Sequence, residues 1–116
     1  MSPEQLQEAQ KTTCEKYGVE FVPLTDTSIS GLARGTLGLN PVNGLRHPAQ
    51  SDASGWYVWC GEEFSAAADF FAPVHTNHLY EELPQVAPYL ALPPGYRFLV
   101  AGNYVDIWFD QSLLSV

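Results

Sequence analysis

Pro93 to Leu114, PPGYRFLVAGNYVDIWFDQSLL, is the stretch that decides the fold. Gly102-Asn103 is a two-residue hairpin turn, with glycine supplying the positive φ that the first position of a type II′ turn requires. That turn sets Ala101 opposite Tyr104, Leu99 opposite Asp106 and Arg97 opposite Trp108. The period of two then sorts the side chains. Tyr96, Phe98, Val100, Val105, Ile107 and Phe109 share a face without charge, which reads as a core face. Arg97, Leu99, Ala101, Tyr104, Asp106, Trp108 and Asp110 share the other. On that mixed face Arg97 lies opposite Trp108 and diagonal to Asp106 and Asp110, so these four residues read as a structural network.

Working outward, the rest of the chain supplies material to cover that hairpin. At 116 residues it is expected to form a single domain over 1–116. A chain of this size buries about 65% of its unfolded surface, enough for a core without metal or disulfide staples. Hydrophobic residues make up 46%, which argues against disorder. Acids outnumber bases 13 to 5, giving a net charge of −8. That balance disfavours nucleic acid and anionic membranes, both of which need basic patches. It suits a basic protein partner, although solubility alone also explains an acid excess. Cys14 and Cys60 stand far apart with no CxxC pairing, which fits two reduced thiols in a reducing, cytoplasmic setting. The polar start MSPEQLQEAQKTTCEKYG has no apolar core of a secretory signal, and no window is apolar enough to span a membrane.

Ser2-Pro3-Glu4-Gln5 is a helix start with a capping box, and Gly18 is a natural stop, so a helix is expected over about 3–17. Its stripe of Leu6, Ala9 and Thr13 is thin, which makes it peripheral. Val19 to Leu24 reads as a short strand, and Gly31 to Leu39 as a second one weakened by glycine. Asn40-Pro41-Val42-Asn43-Gly44 carries turn chemistry twice. Leu45-Arg46-His47-Pro48 enters a polar loop running to Ser54. Gly55 to Gly61, GWYVWCG, is aromatic and β-branched between glycines and apolar on both sides, the signature of a central strand. Phe64 to Ala72 is helical or irregular. Thr76 to Leu92 reads as a helix capped by Thr76 or Asn77, with Leu79, Leu83, Val86, Tyr89 and Leu90 in helical period. Pro84 and Pro88 leave open a helix that begins only at Leu83, with Pro84 at its first position, or two short helices instead. Gln111 to Val116 is an apolar tail expected to dock. The fold class is therefore α+β: a mainly antiparallel sheet with a C-terminal hairpin and helices packed on one face.

The sequence carries few chemical constellations. His75-x-x-His78 has metal-compatible spacing but lacks a third ligand nearby, so no metal or other cofactor is expected. Arg46-His47 sits where it could touch a ligand or tie a loop to a carboxylate. No serine or cysteine stands in a nucleophile-elbow context. Glu62-Glu63 and Glu81-Glu82 are adjacent pairs whose side chains diverge, which suits solvated faces. GLARGTLG has spaced glycines without the lysine of a phosphate cradle.

Four segments together resemble a known family: Asn43-Gly44-Leu45-Arg46-His47-Pro48; Gly55-Trp56-Tyr57-Val58-Trp59; Asp69-Phe70-Phe71-x-Pro73-x-His75-x-x-His78-Leu79; and Leu92-Pro93-Pro94-Gly95-Tyr96-Arg97-Phe98-Leu99 running into Asp106-x-Trp108-x-Asp110-x-Ser112-Leu113-Leu114. They resemble small bacterial immunity proteins of polymorphic-toxin and type VI secretion systems, of the thirty-third immunity family and its relatives. The resemblance implies a non-catalytic protein that binds and neutralises a cognate secreted toxin in the cytoplasm of the producing cell. Glu62, Glu63, Asp69, Glu81, Glu82, Arg46 and His47 are the candidate toxin-binding residues, against a toxin with a basic surface. The competing reading is a small enzyme or ligand-binding domain that uses Arg46, His47, His75 and His78 around an aromatic pocket.

Overall fold

A computed structural model describes residues 2–65 and 67–115. Six strands form one sheet in the order β4-β1-β3-β2-β5-β6. They are β1 (Ile29–Leu32), β2 (Val42–Arg46), β3 (Ala53–Cys60), β4 (Ala72–His75), β5 (Tyr96–Ala101) and β6 (Tyr104–Phe109). All neighbours pair antiparallel except β1 and β3, which run parallel. The class is α+β, with the C-terminal hairpin in the expected register: Ala101 faces Tyr104, Leu99 faces Asp106 and Arg97 faces Trp108. Gly102 has φ +60 and Asn103 does not have positive φ, as a type II′ turn demands.

The GWYVWCG stretch is central, with β1 on one side and β2 on the other. Its period of two sends Trp56, Val58 and Cys60 to one face of the sheet and Tyr57 and Trp59 to the other. The first is the helical face. There Trp56 and Phe98, each buried, meet at 5.4 Å between ring centres. Burying such a side chain is worth about 1.5–3 kcal/mol. Leu79, Leu83, Val86 and Leu90 pack onto them from the segment after β4. The second is the tail face, where Leu45, Trp59 and Leu113 pack with Phe70 and Phe71. Of the hairpin's charge-free face, Phe98 and Val100 are buried and Val105 and Ile107 partly so, but Phe109 at the sheet margin is 49% exposed.

Helix α1 (Pro3–Tyr17) has the capping box between Ser2 and Gln5 and ends on Gly18 in the left-handed region. Its inward residues are Gln10 and Cys14, outside the expected stripe. The Gln10 amide donates to the Ala87 carbonyl and the Tyr80 hydroxyl, which joins α1 to the helical segments after β4. Helix α2 (Thr76–Glu82) is followed by a 3-10 helix, Pro84–Tyr89, so the two-helix alternative holds. Proline drives the residue before it out of the α region, and Leu83 sits at φ −135, ψ 64. The cap of α2 is His75 rather than Thr76 or Asn77, and it makes no side-chain bond; the Thr76 hydroxyl donates to the Thr25 carbonyl instead.

Several expected boundaries moved. The strand expected at Val19–Leu24 does not form, since the segment belongs to no ladder; its Val22 amide donates to the Ala91 carbonyl. The strand expected at Gly31–Leu39 begins earlier, at Ile29, and ends at Leu32. Arg34–Thr36 then turns as a 3-10 helix, because the Thr36 hydroxyl bonds back to the Ala33 carbonyl. Asn43-Gly44 is not a turn but lies inside β2. Glycine is needed there because the Phe98 ring occupies the space a Cβ would fill. Leu45 and Arg46 belong to β2, and the polar loop after them is shorter than expected, with Gln50 and Ala53 exchanging backbone bonds around Ser51-Asp52. After β6 the tail forms a 3-10 helix, Gln111–Leu114, and Leu113 docks on the tail face.

Candidate functional site

The C-terminal end of β3 carries the most distinctive surface. There Gly61 turns the chain at φ +88, its amide donating to the Pro41 carbonyl at 2.7 Å. The Asn43 side chain donates to the Gly61 carbonyl at 2.8 Å, and the Cys60 amide to the Thr36 hydroxyl at 2.8 Å. These bonds fix Glu62 and Glu63 against the Arg34–Thr36 turn. A cleft of about 380 Å³ results, lined by Thr36, Leu39, Cys60, Glu62, Glu63 and Phe70. Leu39 is 57% exposed and Phe64 55%. Burial pushes the Cys60 thiol above its ordinary value, with the Thr36 hydroxyl opposing in part, so it stays a neutral wall of the cleft.

The electrostatics follow from where the five bases lie. Lys11 and Lys16 are on α1. Arg34 pairs with Glu82 at 3.2 Å, Arg97 pairs with Asp110 at 3.1 Å, and Arg46 is buried. Among the described residues, Glu62, Glu63, Asp69 and Glu81 are exposed and have no ion-pair partner, whereas Glu82 is shared with Arg34. Like charges without cations between them raise the local negative potential.

Arg46 is placed differently from the sequence expectation. At 3% exposure no partner can reach it. It does tie the chain together, but to carbonyls rather than a carboxylate: its guanidinium donates to Ser54, Val22 and Leu92 at 3.0, 2.7 and 2.8 Å and stacks over Trp56. Burial lowers its pKa to about 10, so it stays charged near neutrality. Its neighbour His47 faces the tail side. The ring packs edge-on to Tyr57 at 5.7 Å, and Nδ1 lies 2.9 Å from the Leu113 carbonyl, so Nδ1 carries the proton and donates. His47 lines a cleft of about 240 Å³ with Leu45, Tyr57, Phe64 and Phe71.

His75 and His78 are exposed at the start of α2 and take no part in the cleft that holds His47. The structure therefore does not assemble Arg46, His47, His75 and His78 into one site. In the hairpin network Arg97 stacks over Trp108 at 5.5 Å and bonds Asp110, while Asp106 is exposed and makes no ion pair among the described residues. The Ser112 hydroxyl, then the Arg97 guanidinium, hold the Asp110 carboxyl below its ordinary value.

Sequence reasoning missed Leu39 as a surface residue. The only available signal was its place between Gly38 and Asn40-Pro41, which marks a turn but not exposure. Among family models, that of the Imm33-like domain matches residues 9–110. No curated protein and no solved structure matches the chain.

Proposed function

We propose, from the premise that the chain belongs to the Imm33-like family of immunity proteins, that it binds and neutralises a cognate secreted bacterial toxin in the cytoplasm of the producing cell. Immunity proteins imply a toxin partner in general. The finer reading is that inhibition is non-catalytic, that the toxin presents a basic surface, and that it belongs to a polymorphic-toxin or type VI secretion system. Nucleic acid and membranes are not the partners. The observation that carries the reading is the surface at the end of β3, where Glu62, Glu63 and Asp69, without ion pairs among the described residues, stand with exposed Leu39 and Phe64. Apolar contact supplies affinity there, and the carboxylates steer encounter. His47 lines the neighbouring cleft beside Phe64 and completes the docking set; Glu81 extends the acidic field.

Two measurements test this. Co-expression with the toxin encoded by the adjacent gene should protect cells, and failure to protect removes the reading. Stopped-flow association should slow as salt rises, because the Debye length falls from about 10 Å at 0.1 M to about 3 Å at 1 M. Glu62→Lys with Glu63→Lys should slow association in the same way without unfolding the protein. A rate that stays flat with salt would assign binding to the apolar contacts alone.

A further inference from the structure

The sheet has two outer strands, and they differ in how they end it. β4 is four residues long and contains Pro73, which has no amide proton to offer. Short length and proline are ways in which edges are closed to further pairing. β6, YVDIWF, is six residues long with no proline, no lysine and a single charge at Asp106. The Asp110 amide donates to the Gly95 carbonyl at 2.7 Å, and the hairpin closes on the pair Ala101 and Tyr104. Bonded pairs alternate along an antiparallel ladder. Tyr104, Asp106 and Trp108 therefore bond to β5, and the amides and carbonyls of Val105, Ile107 and Phe109 point away from the sheet. Among the described residues these outward groups have no backbone partner. The tail does not cover them, since it crosses to the tail face, where Leu113 packs with Leu45 and Trp59.

We propose that the outer edge of β6 takes an extended, lysine- or arginine-bearing segment of the toxin as a seventh strand. This rests on the toxin-binding reading and names the mode of recognition, strand addition to a free edge. Tyr104 and Phe109 are 55% and 49% exposed and stand at opposite ends of β6 on opposite faces of the sheet. Their rings would hold an added strand from both sides. The partner's charge follows from Asp106, exposed in the middle of the edge and without an ion pair among the described residues. A basic residue across from it would complete the pair. A second copy of the chain suits the edge less well. Antiparallel self-pairing must keep each sheet face aligned, so its central registers set Asp106 against its own copy or one pair away, and two chains of charge −8 must approach.

Residue-resolved amide exchange on the full chain tests the proposal, alone and with the catalytically inactivated toxin encoded by the adjacent gene. In the free protein Val105, Ile107 and Phe109 should exchange roughly tenfold or more faster than Tyr104, Asp106 and Trp108. In the complex those three should slow by a similar factor. A complex that forms and neutralises the toxin while the three amides stay fast overturns the proposal and leaves the toxin-binding reading standing. Absence of any complex removes both. Protection that grows with protein concentration in the free sample assigns the edge to a second copy and also overturns it. Val105→Pro removes one outward donor without touching a bond to β5, and should weaken the complex about tenfold or more with the fold retained, as expected for a lost ladder bond at an edge. Unchanged affinity in a folded Val105→Pro variant counts against strand addition.

Discussion

Replacing Arg46 tests the reading of the helical face most directly. Its guanidinium holds three separate segments: the start of β3 through Ser54, the turn before β5 through Leu92, and the segment after α1 through Val22. The bonds to Ser54 and Leu92 are buried, and that to Val22 is partly so. Arg46→Ala leaves the first two carbonyls without a donor, at about 1–3 kcal/mol each. Water can reach the Val22 carbonyl, so its loss costs least. With the lost stem packing over Trp56 added to those two terms, the expected destabilisation is about 3–7 kcal/mol. Against the ~5–15 kcal/mol of a typical domain, that is a large share.

Urea unfolding followed by tryptophan fluorescence measures the loss, and two further variants divide it. Arg46→Met keeps most of the stem and loses every donor, so it should recover only the packing part. Arg46→Lys keeps a charge but not the planar fork that reaches three carbonyls in different directions, and should fall between Met and wild type. The Val19–Leu24 segment, which has no ladder of its own, should become sensitive to protease in Arg46→Ala. A midpoint shift worth less than about 1 kcal/mol, with that segment still resistant, would refute the claim that Arg46 holds the three segments together.

Other expectations follow from local geometry. Gly55 has φ +93 and its Cβ position meets the His47 carbonyl, whereas Gly102 has φ +60 with open space around it. Gly55→Ala should therefore lower the melting temperature more than Gly102→Ala, whose cost is backbone strain of about 1–3 kcal/mol alone; equal effects in thermal melts would contradict this. In an NMR titration, Ser112→Ala and Arg97→Ala should each raise the Asp110 pKa towards its ordinary value. Because the folded value is lowered, Asp110 stabilises the fold above the ordinary carboxylate value and loses that contribution as pH falls through the lowered one. Cys14 and Cys60 are free, buried and pushed upward by burial, so a thiol reagent should label them slowly in the native protein and fast in urea. Both raised values make thiolate formation a cost to the fold, so alkaline pH should weaken it as the unfolded-state thiols begin to ionise.

The parts of the fold that were legible in the sequence are those where one local rule suffices. The hairpin register follows from Gly102-Asn103 and a period of two, and the central position of β3 from apolar residues on both its faces. The start and stop of α1 follow from Ser2, Gln5 and Gly18. What was not legible depended on partners distant in sequence. Asn43-Gly44 looks like a turn because its glycine normally supplies conformational freedom. Here the same glycine serves space, clearing room for a Phe98 ring more than fifty positions later. Arg46 looks like a surface residue because its ligands are backbone carbonyls, which have no sequence signature. Gln10 carries no sequence signal either, its partners being the distant Ala87 carbonyl and Tyr80 hydroxyl.

That asymmetry also bears on where function resides in this chain. The polar side chains that proved structural, Arg46, Gln10 and the Arg97–Asp110 pair, are consumed by the fold, and their charges or donors are unavailable to a partner. What remains is set by subtraction. With Arg34 bound to Glu82, Arg97 to Asp110 and Arg46 buried, the remaining cations among the described residues are the lysines on α1, while Glu62 and Glu63 on the turn after β3 and Asp106 on β6 make no ion pair there. A sheet end with exposed Leu39 and Phe64 between such carboxylates has the composition of a binding surface, an apolar centre with charge at its rim. The edge of β6 adds backbone groups in a fixed order and needs no particular side chains.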